Sequence, residues 1–314
     1  MQAATIVDGR IEVREHPDPQ PGTGQIRVRV AAAGLNAADL AQLAGRYPAP
    51  PGVPADIPGM ELAGVVDAVG PGALRFAPGD LVMAIVGGGA HAEMAVLHER
   101  EAMPVPEGVD MTAAGGIPEV FTTAHDALFT QAGLVSGERL LVHGAAGGVG
   151  TAAVQLGVAA GARVDASVRA ADRRGNVAAL GATVIDPAET GDRGPYDVIL
   201  ELVGAPNMAA NLTALAVGGR MSVIGIGGGA KAEINLGALM AKRGRIYGST
   251  LRARPLEGKA GAARRLEAQV LPHFVTGRLR VPVHATFSLQ QAADAYEHFA
   301  AGSKFGKIIL LSAP

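Results

Sequence analysis

Leu140-Leu-Val-His-Gly-Ala-Ala-Gly-Gly-Val-Gly150 is an apolar run that breaks into glycines, and the chain resumes as Thr151-Ala-Ala-Val-Gln-Leu-Gly157. The pattern predicts a buried strand, a tight turn and the start of a helix. Such a unit is where a dinucleotide pyrophosphate can meet the free N–H groups of a helix N-terminus. The full Gly-x-Gly-x-x-Gly spacing is absent, because Ala145 stands where the first glycine would be. Gly147, Gly148 and Gly150 remain, so the backbone around Val149 can still approach a phosphate closely. A lone glycine turn is a weak signal. Its setting, between an apolar strand and an uncharged helix, favours a dinucleotide site.

Downstream the chain alternates. Arg163–Val168, Asp197–Val203, Arg220–Ile226 and Arg245–Ser249 read as strands, with helices predicted over Val120–Thr130, Thr151–Ala160 and Asn207–Ala216. Asp197-Val-Ile-Leu-Glu-Leu-Val203 has the continuous apolar core of a parallel strand covered on both faces. This βαβα order predicts an α/β fold with a doubly wound parallel sheet. An NAD site places a carboxylate about 20 residues after the turn to bond the ribose 2′-OH. Here the second strand runs out as Ala166-Ser167-Val-Arg169-Ala-Ala-Asp-Arg173-Arg174. Guanidinium forks suit a 2′-phosphate, so Arg169 and Arg173 point to NADP. Asp165 is a rival acid, but it lies mid-strand, too early to reach the ribose.

Working towards the N-terminus, the pattern becomes strand and loop. Ile26–Ala31 alternates apolar and polar residues, and Glu61–Val69 and Asp80–Val86 are further strand candidates. Tyr47-Pro-Ala-Pro-Pro-Gly-Val-Pro54 must be an extended loop. Towards the C-terminus, Ala260–Val275 reads as a helix, and Ser288-Leu-Gln-Gln291 has capping-box spacing ahead of a helix to about Ala301. Gly306–Leu311 reads as a closing strand. The expected division is 1–118 with 254–314 as a substrate-side domain, and 119–253 as the dinucleotide-binding domain.

The bulk numbers exclude several classes. With 48% hydrophobic and 18% charged residues the chain is a soluble globular protein, and a net charge of −2 gives no general attraction to nucleic acid or anionic membrane. Without cysteine there is no disulfide, thiolate nucleophile or cysteine-ligated zinc. The eight histidines are scattered, with no pair at ligand spacing, so no metal is expected. Arg139 to Arg163 encloses an uncharged run, but its Gly and Ala content, His143 and Gln155 argue against a membrane span. The N-terminus lacks the regions of a signal peptide, which makes the cytoplasm the expected location.

Several stretches together resemble a known family. They are Gly34-Leu-Asn-Ala-Ala-Asp-Leu40, Gly45-Arg-Tyr-Pro48, Gly59-Met-Glu-Leu-Ala-Gly64, Phe76-Ala-Pro-Gly-Asp80, Pro118-Glu-Val-Phe-Thr-Thr-Ala124, His143–Gly150, Gly248-Ser-Thr-Leu-Arg-Ala-Arg254 and Gly306-Lys-Ile-Ile-Leu310. In order and spacing they resemble the medium-chain dehydrogenase/reductase superfamily, in its zinc-free quinone oxidoreductase (zeta-crystallin-like) division. The nearest likeness is to the branch of the tumour-suppressor-inducible NADPH quinone oxidoreductase. The resemblance implies a GroES-like catalytic domain, a Rossmann domain, a cleft between them and a homodimer formed through a sheet edge. Zinc-dependent relatives carry Cys and His where this chain has Asn36 and Met60.

Carried over by position, the resemblance places Asn36 and Tyr47 on the substrate side of the nicotinamide and Thr123 near its ring. It places Gly147, Gly148 and Val149 at the pyrophosphate. Val203, Gly204, Gly225 and Ile226 line the crevice, Ser167 joins Arg169 and Arg173 on the ribose side, and Lys307 approaches the cofactor. In relatives a lysine commonly stands at Arg173 and a helix precedes the strand near Tyr196. The shortness of 187–196 implies a thinned wall beside the adenine ribose. His91 takes the place of a tyrosine, implying an altered substrate mouth. The expected function is hydride transfer from NADPH to a quinone, with Asn36 and Tyr47 donating to the acceptor oxygen. Reduction of an activated C=C bond (enal, enone or enoyl thioester) and a low-turnover NADPH-binding sensor are the alternatives.

Overall fold

Six parallel strands in the order Thr183–Ile185, Arg163–Ser167, Arg139–Val142, Tyr196–Glu201, Leu215–Val223, Arg245–Gly248 form one sheet of this computed structural model. The strand that comes first in the chain lies inside the sheet. The next two build outward on one side and the last three on the other. The order reverses between Arg139–Val142 and Tyr196–Glu201, which is the switch point where doubly wound sheets open a crevice at the carboxyl ends of their strands. The sheet belongs to a compact unit, Thr123–Thr250. Residues 1–312 are described; Ala313 and Pro314, the end of the expected 254–314 segment, lie outside the described residues.

Local chemistry sets the boundaries. The helix after the glycine turn, Gly148–Ala159, begins at the glycines themselves, with Gly147 as N-cap. The expected helix over Val120–Thr130 is the α-helix Pro118–His125 followed by a π-helical turn, Asp126–Gln131. The helix expected over Asn207–Ala216 is shorter, Met208–Ala214, and the next strand starts early, at Leu215. The segment 187–196 is short but not bare. Asp186 accepts from the Ala188 amide and Pro187 follows as first residue of a 3₁₀ turn, Pro187–Glu189, which runs into the four-residue helix Thr190–Arg193. An Asp cap ahead of a proline is a helix-start signal.

The other unit, Met1–Thr122 with Leu251–Pro314, is mostly β. Its larger sheet runs Val283–Ser288, Lys307–Leu311, Gln25–Gly34, Glu61–Val69, Leu81–Ile85, Ala102–Pro104, with Met94–His98 also pairing to Gln25–Gly34. Ile26, Val28, Val30, Leu62, Val66, Val82 and Leu97 make one core. A second gathers Leu35, Ile308 and Leu310 against the helix Ala292–Ala300, whose buried residues 292, 295, 296 and 299 follow helical spacing. The Ser288–Gln291 capping box forms and opens a 3₁₀ turn ahead of that helix. The helix expected over Ala260–Val275 is broken into Leu256–Gln269 and Leu271–Val275, because Pro272 cannot sit in a continuous helix interior. Residues 119–122 and 251–253, expected with the dinucleotide domain, pack with this unit.

Candidate functional site

The glycine turn separates two kinds of glycine. A Cβ on Gly150 would lie 2.4 Å from the Gly144 carbonyl oxygen, and one on Gly157 would lie 2.7 Å from Leu140 Cδ2. These two let the helix close on its strand. A Cβ on Gly147 would sit 3.5 Å from Gly144 O, an ordinary contact, and its φ of −78° suits any residue. Packing does not require glycine there, so its missing side chain leaves room for a ligand instead. The first intrahelical bond runs from Thr151 N to Gly147 O at 2.8 Å, which leaves the amides of Gly148 and Val149 without helical acceptors. Backbone donors and the positive end of the helix dipole thus meet at an unobstructed turn.

Beneath the turn lies a buried polar chain that the sequence reading missed. Glu201 Oε1 accepts from the amides of Val203 (2.6 Å) and Gly204 (2.8 Å) and from Asn207 Nδ2 (3.2 Å), while Oε2 accepts from Asn211 Nδ2 at 2.6 Å. A carboxylate only accepts, so Asn211 must turn its Oδ1 towards His143 Nε2, 2.6 Å away. His143 therefore carries its proton on Nε2. Burial pushes its pKa down, against weaker upward pulls from Glu201 and Asn211. A signal was present: Glu201 is the one charge inside the apolar run Val198–Val203. The network fixes Val203 and Gly204 by their amides. Gly204 has φ 107°, and a Cβ there would lie 2.5 Å from Gly229 O; a Cβ on Gly225 would lie 2.3 Å from Leu202 O. Two loops thus meet backbone to backbone, bringing Val203, Gly204, Gly225 and the exposed Ile226 together at the carboxyl ends of neighbouring strands.

At the end of the second strand, Ser167 is buried and its carbonyl faces Ala145 N at 3.5 Å. Arg169 is exposed and makes no hydrogen bond or ion pair among the described residues. Arg173 Nε lies 3.7 Å from the Asp172 carboxylate. Arg174 is committed to Asp186 (2.5 Å) and to the Val168 carbonyl (3.1 Å). Asp165 is also spent, accepting from Tyr196 Oη at 2.7 Å and Arg139 at 3.2 Å.

In the β-rich unit two of the expected site residues are bonded to each other and to a buried carboxylate. Lys307 Nζ is buried and donates to Leu35 O (2.7 Å) and Asn36 Oδ1 (2.8 Å), and pairs with Glu61 Oε1 at 2.6 Å. An ammonium has three hydrogens, and all three are used here, so none is left for a cofactor. Because Lys307 only donates, Asn36 must face it with Oδ1. The amide nitrogen then donates to Gly34 O (3.1 Å) and Glu61 Oε1 (3.0 Å). Both Asn36 amide hydrogens are spent, so it holds the buried pair rather than donating to a substrate oxygen. Glu61 Oε2 accepts from Glu119 N at 2.8 Å, and Asp39 accepts from Asn36 N (2.8 Å) and Gly59 N (3.1 Å).

His91 is not at a mouth either. It is buried, with Nδ1 2.8 Å from Tyr296 Oη, and burial depresses its pKa. Tyr47 keeps the expected donor: the half-buried phenol bonds to nothing among the described residues. Burial raises its pKa, and Arg252 opposes the rise. Thr123 is buried within the helix Pro118–His125, past its first turn. Among the described residues no group of three His, Cys, Asp or Glu side chains is placed to hold a metal, and no helix is long and apolar enough to cross a membrane.

Two family models match the chain: the alcohol dehydrogenase GroES-like domain over residues 22–107 and the zinc-binding dehydrogenase over residues 154–310. A quinone oxidoreductase of Rattus norvegicus is 35% identical, the match covering 93% of this chain and 91% of the relative. Among solved structures, an alcohol dehydrogenase superfamily protein from Novosphingobium aromaticivorans is 31% identical with a TM-score of 0.89, covering 99% of each chain. A mycobacterial protein solved in complex with NADPH is 25% identical with a TM-score of 0.88, over 99% of this chain and 100% of that one. With the switch-point crevice, the open glycine turn and the GroES-like sheet, these likenesses establish that the chain belongs to the medium-chain dehydrogenase/reductase superfamily and is an oxidoreductase.

Proposed function

We propose that the protein transfers hydride from NADPH to a quinone without a metal. The observation that carries the cofactor half is the pairing of an unobstructed turn at Gly147, with the free amides of Gly148 and Val149, and an uncommitted guanidinium at Arg169. The first accepts a pyrophosphate and the second a 2′-phosphate. Arg173 adds to the second, and Val203, Gly204, Gly225 and Ile226 line the same crevice. Bound NADPH supplies the hydride. The chain's own residues hold, orient and shield. Asn36, Glu61 and Lys307 stiffen the floor of the β-rich unit, and the Tyr47 phenol remains free to donate to an acceptor oxygen as negative charge grows on it. Reduction of a quinone by hydride needs one further proton, which water supplies. Thr123 is read as a packing neighbour of the nicotinamide. The acceptor class rests on the rat relative, named a quinone oxidoreductase.

We also infer a homodimer. Among the described residues the strand Arg245–Gly248 pairs on one side only, and Leu236 and Met240 on the adjacent helix Leu236–Lys242 are 68% and 76% exposed. An open edge flanked by apolar side chains is a pairing surface.

Initial rates with NADPH and NADH against a panel of quinones and α,β-unsaturated carbonyls test the reading. Quinones are expected to turn over fastest, with NADPH preferred. Faster reduction of an enal or enone would reassign the acceptor. Tight NADPH binding with no oxidation by any acceptor would make the protein a nucleotide sensor.

A further inference from the structure

Arg252 is a buried cation that pairs with no carboxylate among the described residues. The residue is 4% exposed, and its three nitrogens reach neutral acceptors: Nε to Gly87 O (2.7 Å), one terminal nitrogen to Tyr47 O (3.1 Å), the other to Gln42 Oε1 (2.5 Å). The guanidinium carbon lies 5.0 Å from the centre of the Tyr47 ring. Gln42 in turn donates to Ala55 O at 3.0 Å. One fork therefore fastens four pieces of chain: the helix Ala37–Leu43, both ends of the proline-rich loop that carries Tyr47, and the Gly87–Gly89 run. Between Pro48 and Pro58 that loop forms no helix or strand; its far end is pinned where Asp56 O accepts from Ile6 N (2.7 Å) and Ile57 O from Gly89 N (2.9 Å), and its Tyr47 end is where the Arg252 fork reaches.

Burying a charge against neutral partners is a poor way to gain stability, since its desolvation is not repaid by an ion pair. What the arrangement does supply is geometry. The planar fork matches carbonyl acceptors in three directions, and its flat face holds the phenol ring. We propose that Arg252 is a positioning residue for the reduction: it sets the Tyr47 phenol against the acceptor oxygen, and so governs use of the acceptor and not of the nucleotide. This rests on the quinone reductase reading above.

The test is a double-mutant cycle with Arg252→Lys and Tyr47→Phe, read as kcat and KM for NADPH and for a para-quinone. Lysine keeps the charge and loses the fork. Arg252→Lys is expected to lower kcat/KM for the quinone about tenfold while leaving the NADPH dissociation constant unchanged, and Tyr47→Phe is expected to cost at least about fivefold less in the Arg252→Lys background than in the native protein. A merely structural arginine would lower thermal stability and give additive effects on rate. Additivity, or a Lys variant that equals the native protein, overturns the proposal.

Amide hydrogen exchange over residues 44–58 gives a readout independent of turnover, with faster exchange expected in Arg252→Lys. Faster exchange in a protein that reduces no quinone would refute the functional reading, and with it the positioning role in reduction, while leaving the fastening of the loop by Arg252 intact. Unchanged exchange in an active enzyme would do the reverse. If Arg252→Lys does not fold, Gln42→Leu, which removes one anchor, is expected to give the same pattern in smaller measure, and its absence counts against the proposal.

Discussion

At the residue scale, the site is defined by which polar atoms are already committed. Lys307, Asn36 and Glu61 satisfy one another across more than 240 residues of chain, so the lysine is a buried counter-ion. Lys307→Met should strand the Glu61 carboxylate and cost about 3–5 kcal/mol. A thermal melt checks this, and adding Glu61→Gln should recover part of the loss. Arg169 is the opposite case, with no hydrogen bond or ion pair among the described residues. Arg169→Ala and Arg173→Ala should each weaken NADPH binding about tenfold or more and leave NADH nearly unchanged, as expected for charge-assisted bonds to a 2′-phosphate. Titration with both nucleotides decides it, and equal losses would remove the assignment. The place of the arginines, directly after the second strand, was legible in the sequence because it follows from local strand and helix spacing. Lys307 and Asn36 were not, because their partners are fixed by strands that meet only in the folded sheet. Arg252 lies within Gly248–Arg254, where nothing local announces its acceptors.

At the scale of elements, the strand, turn and helix around Leu140–Gly157 were readable because apolar continuity and glycine placement are local signals. The division of labour among the glycines was not, since it depends on what faces each Cα. Gly150→Ala should destabilise the protein, because its methyl would collide with the Gly144 carbonyl. Gly147→Ala should fold as the native chain does and lose affinity for NADPH. A melt and a binding titration on both variants separate the two roles.

The His143–Asn211–Glu201 chain adds a pH dependence. Burial lowers the folded pKa of His143 below about 6.5, its unfolded value, so between the two the unfolded state binds more protons. Stability is therefore full above about pH 6.5 and declines as pH falls through that window. His91, shifted the same way by burial, contributes in the same direction. His143→Gln, which can still donate to Asn211, should flatten the melting temperature against pH between 6.5 and 5. An unchanged slope would place the proton uptake elsewhere. The breaks in predicted helices at Pro272 and after His125 show the limit of periodicity: it finds the apolar face and not the point where backbone bonding changes.

At the scale of the whole molecule, the proposed function gives the two units separable tasks: the sheet of Thr123–Thr250 would hold the nucleotide at its open turn, and the β-rich unit would present Tyr47 on the loop that Arg252 touches. The unpaired edge at Arg245–Gly248 should show as a dimer mass in light scattering, and a charged residue in place of Met240 should shift that mass towards the monomer.

Hydride transfer itself can be watched. The most direct measurement is a single turnover, in which the protein preloaded with NADPH is mixed anaerobically with one equivalent of a para-quinone and both absorbances are followed. Nicotinamide absorbance is expected to fall at the rate at which hydroquinone appears, one for one, and the same experiment with NADH is expected to be slower. NADPH that stays bound and unoxidised across the quinones tried would contradict it.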